Sequence, residues 1–303
     1  MEFFYGERII MGKNRKSNGN SGSASSQDDT NPEYKDTIDT ILNDQNNQLN
    51  KEELTYLLDN ILSDNIEFEK VNKNGYLMFR ETLNGEKGPF IAVNPDSLRD
   101  MMQEKAGFGL DDVMKYYHNI PEFKREMVSG VVLGNKKYNF KGGAYNSLTD
   151  QVSITPRVFN EPSDTHWSGI EYTFEHEFTH ALDHSISTLG PASADTTRFT
   201  NILNNEKSSA YSEAYRDKND PSTFATESLA EAFAITQMAR RYGGSNAYTL
   251  DPSIPYAEHR DNPVEINYNT WKKNNPKLAE FADKLADCKN KSECYDVFID
   301  YGW

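Results

Sequence analysis

The chain has 303 residues, with 32 Lys and Arg set against 47 Asp and Glu, a formal charge of −15 at neutral pH. An acidic balance of this size excludes nucleic acid as the expected partner, because a phosphate backbone recruits a basic surface. No apolar run reaches the ~18 residues that a membrane-crossing helix requires.

At the N-terminus, MEFFYGERII breaks its apolar run at Gly6-Glu7-Arg8, short of a Sec-type hydrophobic core. Residues 1–33 are dominated by Ser, Asn, Gly and charge, and read as a disordered tail with nothing to bury. Residues 34–128 read as a mostly helical N-terminal region. Ile38, Ile41 and Leu42 form one apolar stripe, and Leu54, Leu57, Leu58, Ile61 and Leu62 form another. The polar stretch between them is no EF-hand. Counted from Asp44, position 6 is Leu49 where Gly is needed, and position 12 is Thr55 where Glu is needed.

Asn84-Gly85 between two strand-like runs predicts a hairpin. A helix is expected from the Asn94-Pro95-Asp96-Ser97 start signal to Gly107, and another over 111–127. Residues 129–303 read as the second unit. Two strand-like runs open it, VVLGNKKYNF and QVSITPRVF, linked by KGGAYNSLTD. A helix is expected over 168–187, and another from Pro221, capped by Asp220, to Arg241. A last one precedes Cys288 and Cys294, whose spacing suits either two thiols or one small disulfide loop.

EYTFEHEFTHALDH, residues 171–184, carries the chemistry. His-Glu-x-x-His on a helix puts two imidazoles on one face, ~6 Å apart along the axis, within reach of one Zn²⁺. His176 and His180 are therefore candidate ligands, and Glu177 the candidate general base for a metal-bound water. His184 lies ~12 Å from His176 along a straight helix, too far to share that ion. Downstream, Glu227 and Glu231 stand one turn apart among Ala, Leu and Phe. Carboxylates in so apolar a setting need a charge partner. One can ligate while the other accepts the ring N–H of a ligating histidine.

HEFTHALD followed by ESLAEAFA resembles the gluzincin metallopeptidases, and within them the anthrax lethal factor-like branch with its Pro-Pro endopeptidases. The likeness covers roughly residues 142–241. It implies an α+β, zincin-like catalytic domain: a small sheet, an active-site helix and a glutamate helix. It makes Glu227 the third ligand and Glu231 the acid behind it, with Asp183 a further supporting carboxylate. That family carries a Tyr seven residues before the ligand Glu, where it steadies the oxyanion. Here that place holds Asp220. Tyr215 and Tyr211 precede it, and Tyr215, the closer, is the expected substitute. QVSITPRVF would be the edge strand above the cleft, pairing with an extended substrate, and KGGAYNSLTD a rim loop.

The implied protein is a metalloendopeptidase with one Zn²⁺ per chain, acting on a protein or peptide. It would be a bacterial toxin or effector, secreted or translocated without a Sec signal, and cytoplasmic otherwise. The alternative is a catalytically inactive zincin-like module that only binds a partner.

Overall fold

The computed structural model describes residues 34–302, apart from 104–107, 139–141, 157, 159–168, 188–189, 196, 246 and 262–263. The tail expected over 1–33 lies outside the described residues. Two helices open the fold, α1 (Lys35–Leu42) and α2 (Lys51–Ile61). Asn50 starts α2 with a reciprocal cap. Its Oδ1 accepts from the Glu53 N–H at 3.0 Å, and Glu53 accepts from the Asn50 N–H at 2.9 Å.

A meander follows: β1 (Ile66–Val71), β2 (Leu77–Leu83) and β3 (Glu86–Val93). Asn84 and Gly85 both take positive φ, 51° and 80°, as the expected two-residue hairpin turn requires. Next come α3 (Pro95–Met102), α4 (Leu110–Asn119) and α5 (Glu122–Arg125). The single helix expected over 111–127 is thus two. Pro121 cannot continue α4, and it disfavours the helical backbone at Ile120, which is extended at ψ 125°.

β4 (Gly130–Leu133), β5 (Gly143–Asn146) and β6 (Gln151–Ile154) complete a six-stranded mixed sheet in the order β1-β2-β3-β4-β6-β5. Here the expectation is corrected. QVSI is β6, an interior strand between β4 and β5, and the edge strand is β5, inside the segment read as a rim loop. Its four residues, GAYN, carry too little apolar pattern to announce a strand. The sheet also runs across the boundary drawn between residues 128 and 129. β3 pairs in parallel with β4, Phe90 opposite Gly130 and Val93 opposite Leu133. The N-terminal region therefore supplies half of the sheet.

The second half is helical: α6 (Ile170–Ile186), α7 (Ala192–Asp195), α8 (Thr197–Leu203), α9 (Ala210–Asp217) and α10 (Pro221–Tyr242). A small ribbon, β7 (Tyr248–Leu250) with β8 (Glu265–Asn267), brackets α11 (Tyr256–Asp261). α12 (Tyr268–Asn274), α13 (Pro276–Asp287) and α14 (Lys291–Asp300) follow. No helix among the described residues is long and apolar enough to cross a membrane.

α6 is the axis of the molecule. Phe174, Phe178 and Ala181 face the core shared with the sheet and α1–α4. Tyr172, Leu182 and Ile186 face a second core built from α8, α10 and α12–α14. A helix buried on both sides carries its polar residues into the interior, so each of them needs a partner.

Candidate metal centre

α6 and α10 pack antiparallel, and their polar residues meet in reverse order. At one end Arg241 pairs with Glu171 at 2.7 Å and with Glu175, while Tyr242 donates to Glu171. In the middle Glu231 meets His176, and one turn on Glu227 meets His180. Asp220 caps α10 as expected, accepting from the Thr223 N–H at 3.1 Å.

Three atoms converge there. His176 Nε2 lies 3.0 Å from Glu227 Oε2 and 3.1 Å from His180 Nε2, and His180 Nε2 lies 3.5 Å from the same oxygen. A tetrahedral ion with ligands at ~2.0–2.1 Å sets them about 3.3 Å apart, so the triangle fits one small cation. A proton can occupy only one of these lines at a time, whereas a cation satisfies all three acceptors together. His176, His180 and Glu227 therefore form a group able to bind a metal ion. Burial alone would raise the Glu227 carboxyl, but the two imidazoles hold it well below the usual carboxylate range. Burial would likewise lower the His176 imidazole, but Glu227, Glu231 and the charge of Glu177 lift it well above its ordinary value. The two shifts are reciprocal, the imidazoles and carboxylates stabilising each other's charged forms.

Behind the triangle, Glu231 Oε1 lies 3.0 Å from His176 Nδ1. Glu177 sits between the two histidines in sequence and is buried. Its neighbour is the edge strand, packed directly against it. A Cβ on Gly143 would lie 2.8 Å from Glu177 Cγ and Oε1 and 2.6 Å from Thr173 Cγ2. Only glycine lets β5 lie this close to α6.

His184 stays out of the group. Its ring packs at a tilt of 50° against Tyr145 of β5, centroids 5.4 Å apart, and it lines a cavity of about 720 Å³ with Phe123, Met127, Asp150 and Lys291. Burial and the charge of His180 push its imidazole down. Asp183 turns the other way. It accepts from the Ser193 N–H at 2.7 Å and the Ser193 hydroxyl at 2.5 Å, tying α7 to the end of α6.

Both candidate tyrosines lie on α9, but they stand differently. Tyr211 packs edge-on against the His176 ring at 6.3 Å, and burial and the Glu227 charge push its phenol up. Tyr215 lies one turn behind it, the two hydroxyls 3.2 Å apart. Cys288 and Cys294 are separate thiols. The sequence reading missed Gly143 and Ser193. A glycine in a short strand was the one available signal for the first, and the second carried none. No family model, curated protein or solved structure matches the chain.

Proposed function

We propose that the chain is a zinc metalloendopeptidase of the gluzincin type, acting on an extended segment of a protein or peptide. The observation that carries the reading is the convergence of His176 Nε2, His180 Nε2 and Glu227 Oε2 on one point, beside Glu177 and a sheet-edge strand. His, His and carboxylate is a donor set suited to catalytic zinc, which leaves a fourth position open. When bound, zinc supplies a Lewis acid and brings the pKa of its water toward ~7.

The chain's own residues do the rest. Glu177 takes the proton of the attacking water and delivers it to the departing amide nitrogen. Tyr211, the phenol that faces His176, donates to the carbonyl oxygen as negative charge builds there, with Tyr215 supporting its hydroxyl. Glu231 holds the His176 ring. β5 offers its outer edge to the substrate backbone, since it ends the sheet. The family resemblance further assigns the protein to bacterial toxins or secreted effectors.

The rival is a zincin-like module that binds without cutting, and the capping Asp220 at the family's tyrosine position is what favours it. A peptide-library cleavage assay decides. Wild-type protein with zinc should cut, and Glu177→Gln should retain zinc while losing roughly 10²–10⁴-fold in turnover. Elemental analysis should show that Glu227→Ala empties the site and His184→Ala leaves it filled. Zinc bound with no cleavage of any peptide would select the rival.

A further inference from the structure

We propose that Tyr256 is a positioning residue for Tyr211, held in place by the strap that α11 forms between β7 and β8. The proposal rests on the peptidase reading above and adds a part that lies outside both motif helices. Tyr211 is the second residue of α9. A helical side chain leans toward the N-terminus and rests on the turn before it, and at this position there is no such turn. The ring is instead met edge-on by neighbouring rings: His176 at 6.3 Å and 64°, Tyr215 at 5.5 Å and 83°, and Tyr256 at 5.7 Å and 76°. His176 belongs to the candidate metal centre, and Tyr215 to the same helix as Tyr211. Tyr256 comes from neither; α11 brings it there by packing on α9.

The strap is fastened at its feet. His259, three residues after Tyr256, is buried and uses both ring nitrogens. Its Nε2 donates to the Asp251 carbonyl at 2.9 Å, and its Nδ1 accepts from the Val264 N–H at 3.2 Å. Asp251 and Val264 flank the strap and are also joined directly, Asp251 N–H to Val264 O at 3.0 Å. Asp251 Oδ1 stiffens the first turn by accepting from the Ser253 N–H at 2.9 Å and the Ser253 hydroxyl at 2.7 Å. A segment closed in this way has little freedom left to lose when its ring settles on a neighbour. Edge-to-face pairing favours one mutual orientation of the rings. Tyr256 therefore fixes the direction in which the Tyr211 hydroxyl points, and a fixed direction is what an oxyanion donor requires.

The test uses the full-length chain loaded with zinc, and the best-cut peptide of the library as substrate. kcat and KM are measured for wild type, Tyr256→Leu and Tyr256→Phe, and for Tyr256→Leu in a Tyr211→Phe background. Tyr256→Leu keeps apolar bulk and loses the ring. It should lower kcat roughly three- to tenfold, with KM within about twofold of wild type and zinc content unchanged. Tyr256→Phe keeps the ring and should hold kcat near the wild-type value. In the Tyr211→Phe background the leucine should cost nothing further, because the hydroxyl it positions is gone. Tyr256→Met gives the same reading should the leucine variant not fold. An unchanged kcat, a loss that falls on KM, or an equal loss in both backgrounds overturns the proposal, since a merely structural residue would weaken Tyr211→Phe as much as wild type. Tyr211→Phe with wild-type kcat overturns the role of Tyr211 and the proposal with it. A wild type that cuts no peptide overturns the peptidase reading as well, and is recognised separately.

Discussion

Gly143 and Asp183 bound the stretch of α6 that carries the candidate metal centre, one packed against Glu177 and the other just beyond His180. Gly143→Ala adds a methyl where less than 3 Å is free to Thr173 and Glu177. It should destabilise the protein by about 1–3 kcal/mol and lower turnover by displacing Glu177, the proposed base, as thermal melts and peptide cleavage together would show. Asp183 carries a pH signature. Burial raises its carboxyl from 3.8 to about 6 against the pull of Ser193. The folded state therefore holds its proton more tightly than the unfolded chain does. Stability should fall as pH rises from about 4 to 6, by an amount on the order of 3 kcal/mol, and stay level above. Asp183→Asn, which keeps an acceptor for Ser193, should lack that slope in urea melts run across this range. His176 and His180 were legible because a four-residue spacing fixes a shared helix face without tertiary information, whereas the choice of Glu227 over Glu231 came only with the family resemblance. Gly143 was not legible, because its role exists only once β5 arrives.

At the scale of elements, the α6–α10 pair was legible and the sheet much less so. Both helices announce themselves through length, period and, for α10, the Asp220-Pro221 start. The strands β4, β5 and β6 have four residues each, too few for a period to show. The clamp joining the helices comes from Arg241, which read in the sequence only as the end of its helix. It holds Glu171 and Glu175, and both carboxylates are buried. Removing a partner from a buried pair leaves an uncompensated charge, a loss of about 3–5 kcal/mol. Arg241→Met should therefore lower the melting temperature sharply while keeping the apolar stem. Double mutation with Glu171→Gln should recover part of the loss, which a double-mutant cycle would measure.

For the whole molecule, the boundary drawn at residue 128 divides the sequence by composition but not the structure. β4 has β3 on one side and β6 on the other. Without the N-terminal half it becomes an open edge, and Val131 and Leu133 lose the core they share with Ile91 and Val93. A fragment spanning 129–303 should therefore be unfolded or aggregated by circular dichroism and light scattering. Adding a fragment spanning 34–128 should restore helical signal and zinc binding. Shared helix faces are written locally, whereas a parallel pairing between residues 40 apart is not.

The closeness of β5 to α6 has one more consequence. Gly143 sets the height of the strand above Glu177, and a peptide paired with β5 lies one strand spacing, ~4.8 Å, from it. On the proposed mechanism, the strand then works as a ruler fixed to the Glu177 carboxylate. Slipping the guest chain by one residue turns every side chain to the opposite face, whereas slipping it by two restores the same presentation. On a substrate of repeating sequence, the cut positions should therefore fall at even intervals.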